Sequence, residues 1–331
     1  MHSSAFNSPL KCVATIGSFD GVHLGHRSLL SQVRSIADER ALKAVAVTFD
    51  TAPKRVLHGV GDAHLSALDE RMALLRGAGM DEVALLTFTR EMAQLTAREF
   101  MQQVLREQLG VAVLIIGYDH RFGRGRIEGF DDYVRYGKEL GIEVVRGEAC
   151  MYDGEAVSST RIRGCIAEGR IAEANTLLGY RYSLIGEVVD GYKVGRKIGF
   201  PTANLRLHDE HKLLPAGGVY AVYVNFVGNS EVNVQADGNN SQPEHVGMLN
   251  IGQRPTLNNG EERSIEVHIL DFEGDLYGKS LQLEFVERLR DEQPFESVDD
   301  LISQLQADKE RVRQLTIDNS QLIIHNYISC G

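Results

Sequence analysis

The stretch Gly17–His26 reads GSFDGVHLGH and sets two imidazoles, His23 and His26, three residues apart just after an apolar run. Side chains three apart on a helical turn face the same way. Backbone N–H groups at a helix start are unpaired and favour an anion. Glycines such as Gly17 and Gly25 let a phosphate approach the backbone closely. Two imidazoles placed there can stabilise charge developing on a phosphate. An isolated HxxH is more often a pair of surface histidines in a turn. The succession of strand, glycine turn and helix shifts the reading to phosphate chemistry. No third histidine or cysteine lies nearby at zinc spacing, which weakens a metal reading.

Further stretches carry reactive or ligand-binding residue types. IGYDHRFGRGR (Ile116–Arg126) sets Asp119 among arginines and glycines after another apolar run. VSSTRIR (Val157–Arg163) offers Ser159 and Thr160 as helix N-caps. Arg161 and Arg163 would follow in the first turn, where the helix dipole disfavours cations unless an anion is bound. DGYKVGRKIGFPTANL (Asp190–Leu205) spaces Gly191, Gly195 and Gly199 among Lys193, Arg196 and Lys197. Pro201 fixes the backbone beside Thr202 and Asn204, hard oxygen donors suited to Mg²⁺ and phosphate. In SIEVHILDF, Glu266 and His268 face away from Ile265, Val267 and Ile269. A carboxylate on the open face of a strand can take a proton from a hydroxyl. GDLYGKS (Gly274–Ser280) is one residue short of a phosphate-binding P-loop and reads as a hairpin turn.

These residues need elements to hold them. In the first half, KCVATIG, KAVAVTF, EVALLTF, VAVLIIG and IEVVRG are strand-like. Between them RSLLSQVRSIADERAL, DERMALLRGAG, TAREFMQQVLREQLG and DDYVRYGKELG carry helical spacing. This alternation predicts a doubly wound parallel sheet with helices on both faces. Gly17 and Gly117 then lie on one sheet edge, where such sheets bind ligands. After about residue 180, YSLIGEVVDG, GVYAVYVNFVG, HVGMLNIGQ, SIEVHILDF and KSLQLEFVERL follow as short strands. They predict an antiparallel barrel or sandwich. Tyr220, Val222, Val224 and Phe226 line one face of the second. A helix over Ser297–Leu315, with Leu301, Leu305 and Val312 on one side, closes it. The expected domains are 1–180 and 181–316, with a variable tail at 317–331.

A chain of 331 residues suits two domains. A formal net charge of −11 argues against a nucleic-acid or anionic-membrane surface, although a pocket can still be basic. Cys12, Cys150, Cys165 and Cys330 show no CxxC pair, which suits a reducing compartment. MHSSAFNSPLKCVATIG lacks the apolar core of a signal peptide. No run approaches the ~20 apolar residues of a membrane span. A cytoplasmic protein is expected.

The strings GSFDGVHLGH, GYDHRFG and SSTRIR, in that order, resemble the HxGH nucleotidyltransferases. More fully, they resemble the adenylyltransferase half of bacterial bifunctional riboflavin kinase/FAD synthetases. GFPTAN, PAGGVYAV, LNIGQRPT and IEVHILDF resemble riboflavin kinase. The resemblance covers about residues 11–315. It implies an HxGH-type parallel-sheet domain and an antiparallel β-barrel with a closing helix. It implies two reactions, riboflavin to FMN and FMN to FAD, with ATP as co-substrate and Mg²⁺ as metal. A monomer or weak homo-oligomer is expected. By motif, Thr202 and Asn204 would bind Mg·ATP and Glu266 would act as base. Arg290 of LRDEQPF would lie over the flavin. His23, His26 and Arg163 would stabilise adenylyl transfer. Gly17, Phe19, Asp20, Gly25, Asp119, Ser159 and Thr160 are the other first-half ligand candidates. Gly191, Lys193, Gly195, Arg196, Gly199 and Pro201 are those of the second half. Two positions depart from the family: Ala52 in FDTAP replaces a common histidine, and His120 replaces a common phenylalanine. Two alternatives stay open, a working kinase half alone and a flavin-binding regulator.

Overall fold

The structure is a computed structural model describing residues 11–51, 53–59, 63–191, 195–227, 245–255 and 261–322. Ala52 and Lys193 lie outside them. The chain divides into two compact units, residues 1–158 and, apart from the last two residues, 159–331.

The first unit contains β1 (Cys12–Ile16), α1 (Leu24–Glu39), β2 (Lys43–Phe49), α2 (Pro53–His58), α3 (Leu68–Gly77) and β3 (Glu82–Leu86). There follow α4 (Ala97–Phe100), which runs on as a π-helical stretch Met101–Gln108, then β4 (Val111–Ile116), α5 (Phe130–Leu140) and β5 (Glu143–Arg146). A small hairpin, β6 (Met151–Tyr152) and β7 (Glu155–Ala156), ends it. The strands form one parallel sheet in the order β3-β2-β1-β4-β5. The order reverses direction at β1, so β1 and β4 part at the sheet's carboxyl edge, the usual ligand crevice. β1 is buried on both faces, as a central parallel strand must be. Neither α2 nor the β6–β7 hairpin was expected from periodicity. Both are too short to show one.

The second unit opens with a helix pair, α6 (Ser159–Ala167) and α7 (Ile171–Leu178). Asn175 Nδ2 donates to the Phe285 carbonyl at 2.9 Å, and Ala216 N–H donates to the Ile166 carbonyl. The pair thus packs on the barrel strands of its own unit.

The barrel strands are β8 (Ser183–Val189), β9 (Ala203–Leu207), β10 (Gly218–Val227), β11 (His245–Pro255), β12 (Glu261–Ile269) and β13 (Ser280–Arg290). They close as β10-β11-β12-β9-β8-β13, every pairing antiparallel. The predicted face of β10, Tyr220, Val222 and Val224, is buried in the barrel. Ala221 and Tyr223 on the opposite face are buried as well, because α8 (Val298–Leu322) covers it. Ile302, Leu305, Val312 and Leu315 of α8 pack there. Ile302 takes the role expected of Leu301. The helix backbone runs on to Leu322, into the segment expected to be tail. The GDLYGKS stretch is not a hairpin. It links β12 to β13, which are not neighbours in the barrel.

Candidate functional sites

The N-terminal site is built on the β1–α1 connection. Phe19, Gly21 and Val22 all take positive φ there, 47°, 79° and 34°. For a β-branched residue such as Val22 that is a true outlier, and strain of this kind needs surrounding structure to hold it. Asp20 and Arg71 supply the hold. The buried Asp20 carboxylate accepts from the Leu65 and Ser66 N–H groups at 2.9 and 3.1 Å. The buried Arg71 guanidinium donates to the Ser18 and Phe49 carbonyls at 3.0 and 2.7 Å. Asp20, expected among the ligand-binding residues, thus has its carboxylate committed to the loop. Arg71 was not legible as a site residue. It lies far from the motif in sequence, inside an ordinary amphipathic helix.

The loop delivers the histidines. His23 is the N-cap of α1, and its Nδ1 accepts from His26 N–H at 3.3 Å. In the neutral imidazole that bond leaves the proton on Nε2. The two rings stack at 3.7 Å between centroids, 19° apart. Phe19 is buried and backs His26 edge-on at 5.2 Å. Burial, and then the neighbouring His23, hold the His26 pKa well below 6.5. The ring is neutral at pH 7. A Cβ on Gly25 would stand 2.9 Å from the Val157 carbonyl oxygen and 3.2 Å from the His23 ring. Only glycine allows that approach. Gly17 closes β1 with its N–H on the Val47 carbonyl.

At the ends of β4 and β5 lies a cleft of about 340 Å³. Asp119, His120, Arg121, Phe130 and Arg146 line it, with Arg146 stacked 4.2 Å over the Phe130 ring. Asp119 therefore reaches the carboxyl edge as expected. Val157 comes to Gly25 just ahead of the SSTRIR segment. In the second unit, Ser159 and Thr160 are the first residues of α6, not its caps. Arg161 pairs with Glu173 at 3.4 Å, and Arg163 lies just past the first turn.

The barrel site gathers on neighbouring strands. Glu266 of β12 is in register with Asn204 of β9 and with Asn250 of β11. Thr202 Oγ1 donates to Glu266 Oε2 at 3.3 Å. Asn204 is buried, and a Cβ on Gly191 would stand 2.1 Å from its Nδ2. Gly195 opens a short 3₁₀ turn, and its carbonyl accepts from Phe200 N–H at 2.9 Å. Gly199 follows at φ 82°. Pro201 is anchored through its carbonyl to His268 Nδ1 at 2.8 Å. Burial lowers the His268 pKa, and a neutral ring with its proton on Nδ1 is the form that donates there. His268 thus positions the Thr202 loop, a role alternation alone did not suggest. Arg196 reaches the Tyr277 hydroxyl at 3.4 Å.

Arg290 ends β13. Its guanidinium pairs with Asp308 of α8, Nη2 to Oδ2 at 2.8 Å and Nε to Oδ2 at 2.9 Å. It ties the closing helix to the barrel end. Among the described residues no group of three or more His, Cys, Asp or Glu is placed to hold a metal. The oxygen set of Thr202, Asn204 and Glu266 fits a cation that keeps water and phosphate ligands, as Mg²⁺ does. No helix of the described residues is long and apolar enough to cross a membrane.

One unit with a strained histidine loop at the switch point of a parallel sheet, and another that is a barrel bearing a carboxylate–hydroxyl pair, define a two-domain transferase. The first part matches the FAD synthetase family model over residues 6–161, and the second the riboflavin kinase model over 178–316. The chain is 36% identical over 304 residues to the bifunctional riboflavin kinase/FMN adenylyltransferase of Escherichia coli strain K12, covering 92% of each. It is 37% identical over 303 residues to that of Haemophilus influenzae, covering 91% of this chain and 93% of the relative. A crystal structure described as a macrolide-efflux protein from Streptococcus pneumoniae matches with a TM-score of 0.82 at 34% identity, covering 93% of this chain and 95% of that one. The chain belongs to the bifunctional riboflavin kinase/FMN adenylyltransferase family.

Proposed function

We propose that the chain performs two successive transfers from ATP, making FMN from riboflavin on the barrel and FAD from FMN on the parallel-sheet domain. The observation that supports this most is the contact of Thr202, just ahead of β9, with Glu266 of β12, with Asn204 in register beside it.

On the barrel, Glu266 takes the proton of the ribityl 5′-hydroxyl. The freed oxygen forms its bond to the γ-phosphorus as the bond to ADP breaks. Catalysis here is chiefly positioning and electrostatics. Thr202, Asn204 and the ATP phosphates would hold Mg²⁺, which when bound supplies positive charge against the phosphates. His268 keeps the Thr202 loop in place through Pro201. On the sheet domain, a phosphate oxygen of FMN attacks the α-phosphorus of a second ATP, and pyrophosphate leaves. The His23 and His26 imidazoles donate to phosphate oxygens, and Arg163 adds charge. No protein nucleophile is needed, because the substrate phosphate attacks directly. Flavin is substrate and product, in the cytoplasm, for a monomer or weak homo-oligomer.

Separable lesions test the reading. Glu266→Ala should abolish FMN formation and leave conversion of supplied FMN to FAD. His23→Ala with His26→Ala should do the reverse. Loss of both reactions in either variant, with the fold intact, contradicts independent sites.

A further inference from the structure

Glu266 stands between two asparagines, Asn204 of β9 in register on one side and Asn250 of β11 on the other. Residues opposed in this way share a sheet face, with Cβ atoms ~5 Å apart. The turn carrying Arg196 and Lys197, and then Thr202, lead into β9. The β11 side is built differently. A Cβ on Gly252 would stand 2.6 Å from Glu292 Oε1, 3.0 Å from Ser264 Oγ and 3.1 Å from Asn250 Nδ2. Three polar groups, from β11, β12 and the loop after β13, therefore meet over a bare glycine. Asn250 Nδ2 donates to Glu292 Oε1 at 3.1 Å. On the other flank of that carboxylate a Cβ on Gly217 would stand 3.9 Å from Oε2. Ser264 opposes Gly252 and lies two residues from Glu266, so it shares the face of the carboxylate. Glu292 itself is exposed.

We infer that Asn250, Ser264 and Glu292 form the seat of the ribityl chain, a polyol subsite that sets the 5′-oxygen on Glu266. This rests on the riboflavin-phosphorylation reading of the barrel. Polyol hydroxyls both donate and accept. The Glu292 carboxylate accepts, while the Asn250 amide and the Ser264 hydroxyl do both. A second carboxylate beside Glu266 repels polyphosphate and leaves ATP to the β9 side, with its basic turn. The attacking and leaving oxygens of a phosphoryl transfer lie roughly in line through the phosphorus. A polyol on the β11 side of Glu266 and polyphosphate on the β9 side meet that demand.

The test is the selectivity of flavin phosphorylation by the full-length protein with ATP and Mg²⁺. Riboflavin is compared with three analogues, each lacking one of the 2′-, 3′- and 4′-hydroxyls. Wild-type kcat/KM should favour riboflavin over at least one of them by about tenfold or more, the worth of a hydrogen bond to a charged group. Glu292→Ala should raise KM for riboflavin by about tenfold, leave KM for ATP unchanged and remove most of that preference. Glu292→Gln, which keeps an acceptor for Asn250, should fall between. Ser264→Ala should weaken the preference in part. Glu292 is exposed, so its variants carry the test even should Ser264→Ala not fold. A Glu292→Ala enzyme with unaltered riboflavin KM and preference, whatever its kcat, would make Glu292 a loop anchor alone and overturn the inference while wild-type phosphorylation stands. So would a wild type with no preference for riboflavin over any analogue. Wild-type protein that makes no FMN would overturn both this inference and the reading it rests on.

Discussion

Replacing Gly25 by alanine separates the geometry of the histidine loop from the stability of its helix. The new Cβ would stand 2.9 Å from the Val157 carbonyl oxygen and 3.2 Å from two atoms of the His23 ring. A relaxed carbon–oxygen contact needs ~3.3–3.6 Å, so something must move by about half an ångström. A carbonyl held in the backbone yields less readily than a ring, so His23 takes most of the shift. Misplacement of a catalytic group by 1 Å can cost ~10²-fold, so a loss of about tenfold or more in kcat/KM for FMN adenylylation is expected. Stability should change less. Alanine favours the helix by ~0.5–1 kcal/mol over glycine, which offsets part of the ~1–3 kcal/mol cost of overpacking. The assay is FAD formation from supplied FMN and ATP, with riboflavin phosphorylation in the same preparation as control. Wild-type adenylylation in Gly25→Ala would refute the claim that this approach sets the His23 position.

Gly191→Ala puts a Cβ 2.1 Å from Asn204 Nδ2; riboflavin phosphorylation should fall at least about tenfold, with FAD formation from FMN unchanged in a parallel assay. Asp308→Ala leaves the Arg290 guanidinium partly buried and unpaired, so the barrel should lose on the order of 3 kcal/mol, read from urea unfolding of full-length protein. Acid should destabilise the first unit. The folded pKa of His120 is about 4 against 6.5, so the unfolded chain binds more protons between those values. The stability this group contributes is whole above pH 6.5 and is lost as pH falls toward 4, by up to about 3 kcal/mol. Thermal unfolding against pH should show that slope, and His120→Phe should reduce it.

The sheet was legible because strands β1 and β4 are apolar runs bounded by glycine, with amphipathic helices between them. The barrel strands were legible from alternation, but β10 shows the limit. Ala221 and Tyr223 lie on the face that alternation leaves to solvent, and only the docked α8 explains their burial. The helix pair α6–α7 looks like a continuation of the first domain because its pattern is helical. Its bonds to the barrel, such as Asn175 to Phe285, are encoded by no local pattern. At the sites, residue type drew attention to His23 and His26, which the fold sets together at the start of α1, and to Thr202, Asn204 and Glu266, which it sets together on the barrel. It did not show that the Asp20 carboxylate accepts from the Leu65 and Ser66 N–H groups. Nor could it find Arg71 or His268, whose roles depend on carbonyls presented by distant segments. Arg290 was marked by its motif, while its bond to Asp308 is tertiary.

The central claim is that one chain carries both transfers. Its most direct test is a time course of flavin products, separated by chromatography, from purified protein with riboflavin, ATP and Mg²⁺. FMN should appear first and FAD should follow, each beyond one equivalent of protein. FMN without FAD would contradict the adenylyl-transfer half, and bound flavin with no product would contradict both.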